Sequence, residues 1–129
     1  MNEKVFQTKQ AQEIIRYIRN KYGDELEFLW PKSPKSAIWR NKTNRKWYAL
    51  IMTVPRTKLG FNSGQPTEVL DLRFDKGMAL DFAASNDHIL PGYHMNKDNW
   101  ITILLDDGMS IEQIKNLINH SYEISLGKS

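Results

Sequence analysis

Among the features of this chain, the stretch "WYALIMTV" at residues 47–54 constrains the fold most. It is nearly all apolar and rich in aromatic and β-branched residues, which suit a pleated and buried surface. A second apolar run lies upstream in "SAIWR", across "NKTN", whose asparagines suit turn conformations. Together the two runs predict a β-hairpin. The scarcity of polar residues in the second strand predicts a place at the centre of a sheet.

The flanking segments supply helices and further strands. "QAQEIIRYIRNKYG" sets Ala11, Ile14, Ile15, Ile18 and Tyr22 at three- and four-residue spacing, with Thr8 as candidate N-cap and Gly23 as candidate stop. This predicts an amphipathic helix with Arg16, Arg19 and Lys21 elsewhere on its circumference. "ELEFLWPKSPKS" carries two prolines and predicts an extended connection that offers Phe28, Leu29 and Trp30 for burial. After the polar loop "TKLGFNSGQP", the alternation in "TEVLDLRF" predicts a half-exposed strand. Leu70, Leu72 and Phe74 form its inner face; Val69, Asp71 and Arg73 form the other. "DKGMALDFAASND" predicts a short helix with Asp75 as N-cap and Met78, Ala79, Phe82 and Ala83 inward.

Beyond a Pro91-Gly92 turn, "WITILL" predicts a strand with Ile101, Ile103 and Leu105 on one face and Trp100, Thr102 and Leu104 on the other. "SIEQIKNLINHSY" has the capping-box spacing Ser110 to Gln113 and inward Ile111, Ile114, Leu117 and Ile118. The order helix, strands, short helix, strand, helix predicts an α+β fold. Its expected form is an antiparallel β-sheet with helices packed on one face, in a single domain covering residues 1–129. That length and a 40% hydrophobic content suffice for one core without disulfides or metal.

Several kinds of chemistry are excluded or disfavoured. The chain has no cysteine, so thiolate zinc sites, thiol nucleophiles and redox pairs are absent, and a reducing compartment is compatible. No window approaches the roughly 18 to 20 apolar residues of a membrane span, and the polar N-terminal stretch is unlike a signal peptide. The expectation is a cytoplasmic, monomeric protein without membrane contact. His88, His94 and His120 lack metal-ligand spacing, and no phosphate-binding glycine loop or nucleophile elbow occurs. No metal, no cofactor and no catalytic residue are therefore expected, and the chain reads as non-enzymatic.

Charge is more informative. Residues 1–66 carry 13 Lys/Arg against 5 Asp/Glu, and residues 67–129 carry 5 against 10. Between residues 28 and 67 lie Lys32, Lys35, Arg40, Lys42, Arg45, Lys46, Arg56 and Lys58 with no acid among them. Such a field attracts nucleic acid phosphates or other polyanions. Aromatic residues interleave with these cations in "IWRNKTNRKWY", a combination that lets rings meet bases while cations meet phosphates. The same pattern also fits a sheet edge protected by charge, with Trp39 and Trp47 turned to the core. The candidate nucleic-acid contacts are Arg40, Lys42, Arg45, Lys46, Trp47, Arg56 and Lys58.

A second candidate lies in "PGYHMNKDNW". Tyr93 and Met95 can pack downward, while His94, Asn96 and Lys97, with Arg73 and Trp100 nearby, could form a small anion site. The alternative is a hydrogen-bonded loop that fixes how the strand enters the sheet.

Four stretches together resemble the MmcQ/YjbR family of small bacterial proteins. They are "FLWPKSPKSAIWRNKTNRKWYALIM" at 28–52, "LDLRFD" at 70–75, "LPGYHMNKDNWITILLDDGMS" at 90–110 and "INHSYEIS" at 118–125. The resemblance covers about residues 12–125. It implies a fold similar to the frataxin-like CyaY fold and a DNA-binding role with a double-wing arrangement. Arg73 stands where the family commonly has lysine, which keeps the cation but changes how phosphate is held. The functional expectation is DNA or another polyanion bound through the basic hairpin. The alternative is a protein-interaction or chaperone-like module, although the basic first helix lacks the acidic face an iron-binding role needs.

Overall fold

The computed structural model describes residues 3–127. A short 3-10 turn at Glu3–Val5 leads into helix α1 (Lys9–Tyr22). The Thr8 side chain caps α1 by accepting from the Ala11 N–H, and Gly23 ends it in a left-handed conformation with its N–H on Arg19 O. Both ends therefore follow the capping chemistry expected from the sequence.

Five strands follow: β1 (Ser36–Arg40), β2 (Trp47–Pro55), β3 (Pro66–Arg73), β4 (Ile89–Pro91) and β5 (Trp100–Leu104). They form one antiparallel sheet in the order β1-β2-β3-β5-β4. A 3-10 turn at Arg56–Leu59 joins β2 to β3. The short helix α2 (Ala79–Ala84) lies between β3 and β4, and α3 (Ile111–Ser125) closes the described chain. The capping box at Ser110 and Gln113 is formed in full.

All three helices cover one face of the sheet. Ile14 and Ile18 of α1, Ala79 and Ala83 of α2, and Ile114 and Ile118 of α3 pack on Trp39, Ile51, Leu70, Leu72, Ile101 and Ile103. Among the described residues no α-helix covers the other face. Its Ile38, Leu50, Met52, Val54, Val69 and Leu104 are covered by loops that bring in Trp30, Leu59, Phe61, Tyr93 and Met95.

The sheet departs from expectation in three ways. β3 is not half-exposed: on the face that was expected to meet water Val69 and Asp71 are fully buried and Arg73 is half-buried, because loops close over it. β3 also takes the central position, and β2 is the interior strand beside it. A strand was missed at Ile89–Pro91, too short to show alternation, where it pairs with β5 at the sheet edge.

The start of α2 differs as well. Met78 is its N-cap residue and has no side-chain capping bond, while the Asp75 carboxylate meets His120 Nε2 at 3.1 Å. Gly77, at φ 80°, turns the chain between the two positions, so the helix begins later than expected. Met78 is consequently exposed rather than inward. Phe82 is half-buried and stacks on Phe74 with centroids 4.4 Å apart.

Candidate functional site: an apolar groove on the open face

The hairpin tip is fixed from below. Asn41 accepts from the Thr43 N–H at 2.9 Å and donates to Ser125 Oγ at 3.1 Å; Asn44 donates to Ser125 O at 2.6 Å and accepts from the Lys46 N–H at 3.0 Å. Both asparagines thus bind the tip to the end of α3, and Arg45 and Lys46 project from it as exposed residues. Arg45 adopts φ 68°, a left-handed conformation that costs a non-glycine residue about 1 kcal/mol.

The candidate cations divide into two kinds. Arg40 pairs with Glu27 at 2.8 Å, and Lys42 pairs with Asp24 at 3.1 Å while donating to Gly23 O. Arg56 lies 4.7 Å from the Phe61 ring centroid. These three serve the fold. Lys32, Lys35, Arg45, Lys46 and Lys58 are exposed and form no ion pair among the described residues. The hairpin tip and the Arg56–Lys58 turn lie at opposite ends of β2, roughly 30 Å apart at about 3.3 Å per residue.

A groove lies between these ends. It has a volume of about 580 Å³ and runs along β2, with Trp47, Leu50, Met52 and Val54 in its lining. Trp30 with residues 33–36 supplies one wall, and His94 with Met95 supplies the other. No aspartate or glutamate lines it, and Lys35 does. Trp30 and Trp47 meet edge to face with centroids 5.7 Å apart, and both are half-buried. Trp39 is wholly buried among the helices' contacts and takes no part.

Residues of the polar loop mostly hold the loop itself. Arg73 donates to Trp47 O at 2.5 Å, and its guanidinium lies 4.8 Å from the centroid of the buried Trp100 ring. Asn96 accepts from the Asp98 N–H at 2.8 Å, and Lys97 donates to Gly92 O at 2.9 Å. Gly92 is required by close approach: a Cβ there would stand 2.8 Å from Trp100 Cβ. His94, at φ 63°, is exposed beside the Tyr93 ring and faces the groove. Arg73, Asn96, Lys97 and Trp100 therefore position the groove wall, and His94 alone of the five lines it.

Sequence reasoning missed the residue at the centre of this face. Ile38, Leu50, Asp71, Thr102 and Leu90 lie in one row across the five strands. Asp71 Oδ1 accepts from the Thr102 hydroxyl at 2.6 Å, and Thr102 Oγ1 accepts from the Tyr93 N–H at 2.7 Å. Asp71 Oδ2 is buried without a hydrogen-bond partner. Burial pushes the carboxyl up to about 8, against opposing effects of the Thr102 bond and the Lys97 charge. A value near 8 favours the protonated acid at neutral pH, so Asp71, the cross-strand neighbour of Leu50, adds little negative charge beside the groove. Its only sequence signal was an aspartate in a strand otherwise flanked by leucines.

A second, smaller groove of about 310 Å³ lies on the helix side between α1 and α3. Lys21 and Lys115 lie near the Tyr17 ring there, and Glu13 adds an acid to the lining. The histidines stay apart in their settings. His120 contacts Asp75 and Phe74, His88 lies 3.9 Å from Asp106, and no group of three candidate metal ligands occurs among the described residues.

This α+β fold, one antiparallel sheet with its helices on one face, is shared by related solved structures. A crystal structure from Pseudomonas syringae is 35% identical with a TM-score of 0.83, covering 88% of this chain and 97% of the other. A Deinococcus radiodurans crystal structure, 20% identical with a TM-score of 0.64, covers 88% of this chain and 76% of the other and shares the fold. The YjbR family model matches residues 19–124, and the chain belongs to the YjbR family. The uncharacterized protein YyaQ of Bacillus subtilis (strain 168) is 35% identical over 114 residues, covering 88% of this chain and 96% of YyaQ. No helix among the described residues is long and apolar enough to cross a membrane.

Proposed function

We propose that this protein is a non-enzymatic, cytoplasmic binding module for nucleic acid, acting through the open face of its sheet. One observation carries the reading: an acid-free apolar groove with unpaired cations at both ends. Lys35 lines it, Arg45 and Lys46 lie beyond Trp47, and Lys58 lies beyond Val54. Phosphates neutralised by these side chains release counterions, so affinity falls with salt. Asp71, protonated beside Leu50, does not oppose the field of these cations.

Contacts to about four phosphates give a slope of log K against log salt of about −3 for a single strand. Fluorescence anisotropy of a labelled oligonucleotide at several salt concentrations measures it. Replacing Arg45 and Lys46 together by glutamine makes the slope shallower by about 1.4. Binding with an unchanged slope in that variant removes the hairpin tip from the site, and no binding at low salt overturns the reading.

Exposed Met78 and Leu80 at the start of α2 favour a second reading, a protein-interaction module using the helix side. A defined partner whose binding is lost in a Met78→Ser, Leu80→Ser variant and unchanged by nuclease would establish it.

A further inference from the structure

We infer that the groove seats unpaired bases, so that the ligand class is single-stranded nucleic acid rather than duplex; this rests on the phosphate-binding reading above. The shape of the face supplies the first argument. Duplex readout requires an element that protrudes into a groove of the double helix. Here the apolar and aromatic surface is concave, sunk between the Trp30 wall and the His94–Met95 wall. Stacked and paired bases cannot enter it, whereas splayed bases can.

Chemistry supplies the second argument. Half-buried Trp30 and Trp47 present ring surface to the groove, and Leu50, Met52 and Met95 extend the apolar floor. Bases bury their flat faces well against such a surface, and every base has one, so the site tolerates sequence. Their polar edges meet Ser33, Ser36 and His94 on the walls, while the backbone meets the cations at the ends. Recognition of single strands on the face of a sheet bearing aromatic residues follows the same physics elsewhere.

An acidic peptide is the competing occupant, and the groove suits it less. An extended peptide brings a backbone donor and acceptor with nearly every residue, and each needs a partner when buried. Peptides that add to sheets find those partners along a strand edge. The floor of this groove is β2, paired on both sides with β1 and β3, and it offers side chains only.

The test compares four labelled probes at one salt concentration by anisotropy. They are a 12-mer single strand, the same sequence as duplex, a 12-mer with abasic sites through its centre, and an acidic peptide containing leucine and tryptophan. The single strand is expected to bind at least about tenfold more tightly than the duplex or the abasic strand, whose phosphates are equal in number or greater. Trp30→Leu is expected to weaken single-strand binding about tenfold while leaving the salt slope unchanged. The abasic comparison needs no variant, so it stands even if Trp30→Leu unfolds. Equal, salt-sensitive affinity for single strand, duplex and abasic strand would overturn the base-seating inference and leave the phosphate reading intact. Peptide binding that Trp30→Leu abolishes, with no oligonucleotide bound, would overturn both.

Discussion

The two faces of this sheet are built from the same five strands and end in different states. The helix face is closed: Ile14, Ile18, Ile114 and Ile118 meet aliphatic partners with no exposure, and the buried Ser121 donates to Tyr48 O. Tyr48 in turn donates to Asp24 Oδ2 at 2.6 Å, and burial raises its hydroxyl pKa further. The loop face keeps the half-buried Trp30, Trp47 and Met95 and, in His94, a non-glycine residue in a left-handed conformation, while each face buries an unpartnered polar atom, Asp71 Oδ2 here and Trp39 Nε1 on the helix side. One face is filled to hold the fold, and the other retains strain and open apolar surface. Local departures of this kind tend to mark where a protein works rather than where it is held together.

The largest expected contrast comes from truncating each face in turn. Ile114→Ala opens a cavity under α3 and should lower unfolding free energy by roughly 2–5 kcal/mol. Met95→Ala in the groove wall, already partly solvated, should cost about 1 kcal/mol while weakening oligonucleotide binding. Urea titrations and anisotropy on both variants check this. Equal stability losses would mean that the loop face is packed as tightly as the helix face.

Next in size is Asp71. Its pKa is raised from 3.8 to about 8 on folding. The folded state therefore holds its proton more tightly than the unfolded chain does. The stability this provides is complete below about pH 4 and is lost as pH rises to about 8. Each pH unit in that window removes at most roughly 1.4 kcal/mol. Asp71→Asn should abolish this slope and exceed the parent by a few kcal/mol at pH 9, as denaturation at pH 5, 7 and 9 would show. The same variant should keep its oligonucleotide affinity at pH 9 while the parent loses some. A parent stability that rises between pH 4 and 8 would contradict a neutral acid at this position.

Two smaller effects sharpen the comparison. Gly92→Ala forces a methyl group against Trp100 and should cost roughly 1–3 kcal/mol, seen as a lower Tm. Arg45→Gly relieves the left-handed arginine and should raise stability by up to about 1 kcal/mol while weakening binding. Opposite signs in stability and affinity at one residue would identify the hairpin tip as retained for binding.

The helix face was largely legible in the sequence, because its signals are local. The Thr8 and Ser110 caps, the isoleucine spacing and the "NKTN" turn each lie within a few residues of the element they define. The loop face was not, because its partners are distant in the chain. Asp71 and Arg73 read as a solvent face, since nothing nearby announces that Thr102 will meet one and Trp100 the other. Trp30 stands in a connection with two prolines, and only the folded chain brings it against Trp47. The basic residues were visible as a set, but their separation between the two ends of β2 and into paired and unpaired groups was not.

The most direct test of the account is amide chemical-shift mapping of the protein during titration with the 12-mer single strand. The account predicts perturbations at residues 30–36, 45–58 and 93–97, the segments that carry the groove and the cations at its ends. Perturbations confined to α1 and α3, around Arg16, Lys21 and Lys115, would place the binding surface on the helix side and contradict it.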